Sequence, residues 1–193
     1  LGSLINPAVI GKQDPMFTAT FDEIEPLLKD VLGIEKALDN FEADIFGNSA
    51  IDVVRASKLL AMKFSLVSTN VPYLKRGNQE ESLLEFCEDE YPDSKADLAT
   101  VFLERCQYFL NSYGSYAVVS PQNWLSQGSY EELRKTLLIN QKWNLVIWLG
   151  AGAFGQISGE VVKPSLLIFS NERPSETDSF CGMDISDCKG AEE

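Results

Sequence analysis

A chain of 193 residues is long enough for one sizeable core, and its 45% apolar content is that of an ordinary globular protein. Lys plus Arg number 16 against 29 Asp plus Glu, a net charge of −13, which argues against a free-standing nucleic-acid binder but not against a catalytic module whose DNA grip lies elsewhere. There is no His, so His-based triads, His metal sites and His acid–base chemistry are excluded together.

No apolar run has the length needed to span a membrane, and the start has no charged-then-apolar secretory pattern. The cysteines are Cys87, Cys106, Cys181 and Cys188, with no C-x-x-C pair. That spacing argues against zinc and for reduced thiols in a cytoplasmic protein, with Cys181 and Cys188 free to pair. The opening Leu1-Gly2-Ser3-Leu4-Ile5 reads as the middle of something longer.

Residues 1–20 carry Asn6-Pro7, Gly11 and Asp14-Pro15 and read as loop. Asp22 caps a first helix with Ile24, Leu27, Leu28, Val31 and Leu32 on one face. After Gly33, the residues Ile34, Ala37, Leu38, Phe41 and Ile45 repeat at helical spacing. Gly47-Asn48-Ser49 is expected to close that helix and cap a third, which runs toward Phe64. Phe64 to Ser68 is a short, mostly apolar run that reads as a buried strand, stopped by Asn70-Val71-Pro72-Tyr73. A polar, basic loop follows over 74–79, then an acidic stretch over 80–92.

Asp93 or Ser94 caps a helix expected over 95–110, with Leu98, Val101, Phe102, Cys106 and Phe109 on its apolar face. Asn111 to Gly114 reads as a turn, and Tyr116 to Val119 as a second strand ended by Ser120-Pro121. Ser129 and Glu132 form a capping box for a helix carrying Leu133, Leu137 and Leu138. Trp143 to Leu149 is a third strand, Gly150 to Gly155 a Gly-rich loop, and Val161 to Phe169 a fourth strand interrupted by Pro164. The polar chain after Asn171 reads as a disordered or truncated end. Alternating strands and helices indicate βαβ units in a mostly parallel sheet. The last two strands have no helix between them and are expected to form an antiparallel hairpin at one edge. The organisation is thus a helical and loop segment over 1–63, an α/β segment over 64–171 and a tail over 172–193.

In open α/β sheets ligands sit beyond the carboxyl ends of the strands. An amide, a rigid proline turn and an aromatic ring at such an end form a candidate site. The strand with Thr69-Asn70-Val71-Pro72-Tyr73 resembles the catalytic motif of N6-adenine DNA methyltransferases, usually Asn-Pro-Pro-Tyr. The resemblance continues in order through Asp97 to Arg105, Gly114 to Leu125 and Tyr130 to Leu138. Leu149-Gly150-Ala151-Gly152-Ala153-Phe154 with Gly159-Glu160-Val161-Val162 is especially similar to the large gamma-type methyltransferases of BREX phage defence and restriction–modification. It covers roughly residues 60–171.

The resemblance implies the C-terminal part of a Rossmann-like, S-adenosylmethionine-dependent methyltransferase fold. It implies Asn70, Val71, Pro72 and Tyr73 as catalytic residues. The chemistry needs such groups because the adenine N6 lone pair is delocalised into the ring. The Asn70 side-chain oxygen and the Val71 carbonyl accept the two N6 hydrogens and localise that pair. Tyr73 stacks on a base flipped from double-stranded DNA, and Pro72 stiffens the turn. Val71 departs from the usual proline but keeps the carbonyl.

By the same resemblance Phe154 contacts the edge of the flipped base, the alternative being a core phenylalanine. Lys75 and Arg76 are placed near DNA phosphates, the alternative being a solvated loop. Asp97 and Phe102 read as helix cap and core, with the donor side as the alternative. The donor-binding motif and the target-recognition domain are not found in this sequence. It therefore reads as the catalytic-motif half of a DNA methyltransferase, inactive alone, whose parent works with defence-system partner subunits. Two other functions remain: a degenerate, DNA-binding methyltransferase-like module, and a methyltransferase acting on a protein amide nitrogen.

Overall fold

The computed structural model describes residues 2–7, 26, 41–150 and 162–187, with only the backbone described over 41–50. The helices expected around Asp22 and Ile34, most of the Gly-rich loop, and Phe154 lie outside the described residues. The chain forms two compact units, Leu1–Met62 and Lys63–Glu193.

In the first unit, a 3-10 turn at Gly2–Leu4 buries Leu4. Helix α1 runs over Phe41–Ala61 without a break. The stop expected at Gly47-Asn48-Ser49 is absent. Glycine costs about 1 kcal/mol in a helix relative to alanine, which is too little to end a long proline-free segment. Among the described residues no helix is long and apolar enough to cross a membrane.

The second unit is built on a five-stranded mixed sheet. Its elements are β1 (Phe64–Asn70), α2 (Glu81–Glu90), α3 (Leu98–Tyr108), β2 (Leu110–Pro121), α4 (Glu131–Asn140), β3 (Lys142–Trp148), β4 (Pro164–Ser170) and β5 (Cys181–Asp184). The strand order is β1-β2-β4-β3-β5. β1 and β2 are parallel, β4 is antiparallel to both its neighbours, and β5 is parallel to β3. All strands except β4 therefore point one way, as in an α/β fold. The expected antiparallel pair lies at one side of the sheet, with β4 against β2 and only β5 added beyond β3.

Four local differences from the sequence reading have simple causes. The acidic stretch at 80–92 contains a helix, α2. Leu83, Leu84 and Cys87 give it one apolar face, and Pro92 follows its end. The turn expected at 111–114 is a bulge inside β2: Phe64 pairs with Leu110 and Leu66 with Ser115. Tyr113 takes a positive φ of 65° there. A Cβ on Gly114 would lie 2.9 Å from the Phe64 carbonyl, so only glycine lets the strands close beyond the bulge. The capping box at Ser129 does not form, because Tyr130 is the cap of α4 and no side chain bonds the helix end. Finally, Cys181–Asp184 of the polar tail is a strand. An edge strand needs partnered backbone more than apolar side chains. Lys142 anchors the approach through ion pairs to Asp178 (2.8 Å) and Glu172 (3.7 Å). The Ile185 N–H donates to the Trp148 carbonyl just beyond it.

One face of the sheet carries the core. Ala99, Leu103 and Cys106 of α3 and Leu133 and Leu137 of α4 pack on Tyr116, Val118, Leu167 and Phe169. Tyr116 stacks on Phe169 at 4.9 Å, and Trp143 meets the same ring edge-on at 4.9 Å. Each such buried ring contributes about 1.5–3 kcal/mol. This packing fixes the carboxyl ends of β1 and β2 side by side.

Candidate active site

β1 ends at Asn70, which is exposed at the carboxyl end of the strand. Val71 turns into the core, 3% exposed, and its N–H donates to the Val119 carbonyl at 3.4 Å. A proline here has no N–H to donate, so valine exchanges ring rigidity for one more rung of the β1–β2 ladder. Pro72 is exposed and Tyr73 is half-buried against the core.

The loop after Tyr73 is fastened to the start of α3. The Leu74 N–H donates to Asp97 Oδ1 (3.3 Å), the Leu98 N–H to the Leu74 carbonyl (2.9 Å), and the Arg76 N–H to the Ala96 carbonyl (3.1 Å). Asp97 Oδ1 also accepts the Ala99 N–H at 2.9 Å and is the N-cap of α3. Asp97, not Asp93 or Ser94, thus starts the helix; the Ser94 hydroxyl instead donates to Glu104 at 2.7 Å. One carboxylate therefore holds both the helix end and the loop carrying Tyr73. Phe102 packs against the core. The sequence shows an Asp one residue before an apolar helical run, which is the cap signal. Nothing in it announces the second bond to Leu74.

The loop after β2 is equally constrained. The Gln122 N–H donates to the Lys163 carbonyl at 2.9 Å. Trp124 is fully buried, and its indole N–H donates to Ser120 Oγ at 3.1 Å. Arg134 Nη1 donates to the carbonyls of Trp124 and Gln127, both at 2.6 Å.

Between these loops lies a cleft of about 450 Å³, walled by Tyr73, Lys75 and Asp97 on one side and by Gln122, Asn123 and Lys163 on the other. The Tyr73 hydroxyl is buried without a hydrogen-bond partner. Burial, and secondarily the nearby Asp97 carboxylate, push its pKa up to about 12, so it is a neutral donor at any working pH. Asn70 does not line this cleft. It faces a groove of about 390 Å³ on the other side of the strand end, with Ser68, Ala117, Val119 and Leu166. Asn70 and Tyr73 thus flank the Val71-Pro72 turn from two sides. Lys75 is at the cleft, whereas Arg76 pairs with Glu88 of α2.

Among the described residues, those lining the groove beside Asn70 include no carboxylate.

The model of a family described as Eco57I restriction-modification methylase matches residues 13–154. The chain is 34% identical over 171 residues to the adenine-specific methyltransferase BrxX of Escherichia coli O9:H4 (strain HS), covering 89% of this chain and 13% of that protein. It is 30% identical over 124 residues to the adenine-specific methyltransferase PglX of Lacticaseibacillus casei (strain Zhang), covering 63% of this chain and 10% of that one. It is also similar in fold to a modification subunit of a putative type I restriction enzyme from Vibrio vulnificus YJ016 (TM-score 0.51, 21% identity, 66% of this chain and 27% of that one). A second neighbour is a nuclease-deletion mutant of the type ISP restriction-modification enzyme LlaGI in complex with a DNA substrate mimic (TM-score 0.52, 19% identity, 78% and 17%).

Proposed function

The chain belongs to the Eco57I restriction-modification methylase family, and from that premise we propose that it carries the acceptor half of an N6-adenine DNA methyltransferase. It spans about an eighth or less of the length of the curated relatives it matches, so the activity is that of a longer protein. The observation that carries the reading is the Asn70–Tyr73 turn at the carboxyl end of β1, bordered by a cleft of about 450 Å³. That volume falls in the ~300–1,000 Å³ range of small-molecule sites.

A flipped adenine lies over the turn with its ring against Tyr73, and its amine meets Asn70 once that side chain turns from its groove toward the cleft. The Asn70 side-chain oxygen and the Val71 carbonyl accept the two N6 hydrogens. This localises the nitrogen lone pair and stabilises the positive charge that develops on it. Pro72 holds the two acceptors in place. Lys75 and Lys163, at the cleft, suit phosphates flanking the target. Arg76 joins them only by leaving Glu88. Phe154 completes the base contacts. The donor, S-adenosylmethionine, supplies an electrophilic methyl group. The substrate is double-stranded DNA, and the setting is restriction–modification or phage defence with partner subunits.

The test is transfer of labelled methyl groups from S-adenosylmethionine to unmethylated DNA by the full-length protein, beside Asn70→Ala and Tyr73→Ala. Label at adenine N6 that collapses in Asn70→Ala is the expected result. A folded, donor-binding protein that labels no DNA would overturn the proposal.

A further inference from the structure

The cleft has two walls, and the start of α4 is bonded to both. Tyr130, the cap of α4, and Arg134 stand four residues apart, a spacing that puts neighbouring side chains on one side of a helix. Tyr130 is 3% exposed, and its hydroxyl is hydrogen-bonded to Thr100. The Thr100 hydroxyl in turn donates to the carbonyls of Asp97 (2.7 Å) and Ser94 (2.6 Å). This arm therefore ends on Asp97, the residue that ties the Tyr73 loop. The other arm is Arg134. Its Nη1 donates to the carbonyls of Trp124 and Gln127, both at 2.6 Å, and the Gln127 carbonyl also accepts the Tyr130 N–H at 3.3 Å. The Trp124 carbonyl stands near the end of a 3-10 turn over Gln122–Leu125, where carbonyls have no partner within the turn. A guanidinium supplies that partner as a charge-assisted bond, roughly twice as strong as a neutral one.

From this we infer that Arg134 is a positioning residue for DNA binding, which fixes the wall carrying Gln122, Asn123 and Lys163 opposite the Tyr73 wall; the inference rests on the reading of the cleft as the adenine site. Lys163 belongs to the same unit because its carbonyl accepts the Gln122 N–H at 2.9 Å. Side chains ordered before DNA arrives bind it without the cost of ordering them then. The turn that acts on the amine is held separately, through Asp97. Loss of Arg134 therefore weakens the hold on DNA more than it slows the transfer step.

The experiment compares the full-length protein with Arg134→Met, Arg134→Gln and Arg134→Lys. Hydrogen exchange reads the wall directly. In the Met and Gln variants the amides of residues 122–127 exchange at least about tenfold faster, the factor for losing one bond to a charged group. The amides of Leu74, Leu98 and Ala99 keep their wild-type rates. In methyl transfer, KM for DNA rises about tenfold, as for ordering one or two interface side chains, and kcat changes little. Arg134→Lys keeps the charge and enough donors for both carbonyls, and recovers KM and exchange toward wild type. Unchanged exchange over 122–127, a fall in kcat in place of the rise in KM, or no recovery with lysine overturns the inference. So does failure of both the Met and Gln variants to fold, which would make Arg134 a support of the whole fold. Absence of methyl transfer by the wild type, with exchange over 122–127 still dependent on Arg134, would instead overturn the function on which the inference rests.

Discussion

Asp97→Ala is expected to damage the site without touching any substrate. Asp97 is 6% exposed, and one of its oxygens accepts two backbone N–H groups, Ala99 at 2.9 Å and Leu74 at 3.3 Å. Losing an aspartate N-cap costs about 0.5–2 kcal/mol. The bond to Leu74 is longer, and at the low end for a bond to a charged group it adds about 1.5 kcal/mol. Removing a buried carboxylate returns part of its desolvation cost, so the net expected loss is about 2 kcal/mol. Asparagine caps as well as aspartate, so Asp97→Asn should cost less than about 1 kcal/mol. Urea unfolding of the three proteins measures both numbers. In methyl transfer, Asp97→Ala should lower kcat more than Asp97→Asn, because the Tyr73 loop loses its tie to α3. Equal stability of Asp97→Ala and wild type, or an Asp97→Asn loss as large as that of Asp97→Ala, would refute the assignment of cap and loop tie to this one oxygen.

Gly114→Ala should destabilise by about 1–3 kcal/mol in the same assay, because the new methyl meets the Phe64 carbonyl and Asn111 Oδ1 at 2.9 Å. Alkaline stability should report Tyr73. Its pKa rises from 10.0 to about 12 in the fold, so the unfolded chain releases the proton first. Its contribution is intact below pH 10 and is lost as the pH climbs to 12. Tyr73→Phe should flatten the loss over that window, leaving the shares of Tyr91, also raised to about 12, and of Tyr108, Tyr116 and Tyr130, which burial also pushes up; parallel curves would count against a buried hydroxyl. Among the described cysteines, alkylation at neutral pH should mark exposed Cys181 and spare Cys87 and Cys106 until the protein unfolds. Burial pushes the Cys106 thiol up to about 12, which leaves little thiolate.

The sequence by itself determined the alternation of strands and helices from Phe64 to Phe169, the antiparallel relation of the last two of these strands, and the place of Asn70–Tyr73 at a strand end. These are local matters: apolar periodicity says which side chains leave water, and proline and glycine say where the backbone stops. Only the tertiary structure decided that β4 lies between β2 and β3, that Cys181–Asp184 adds a strand, and that Asn111 to Gly114 is a bulge and not a turn. It also decided that Asp97 binds Leu74 across 23 residues and that Gln122 shares a cleft with Tyr73. These contacts are made by backbone N–H and carbonyl groups, which every residue carries, or by polar side chains whose partners lie far along the chain. No local pattern marks them, because their energy exists only once packing has removed water from both partners.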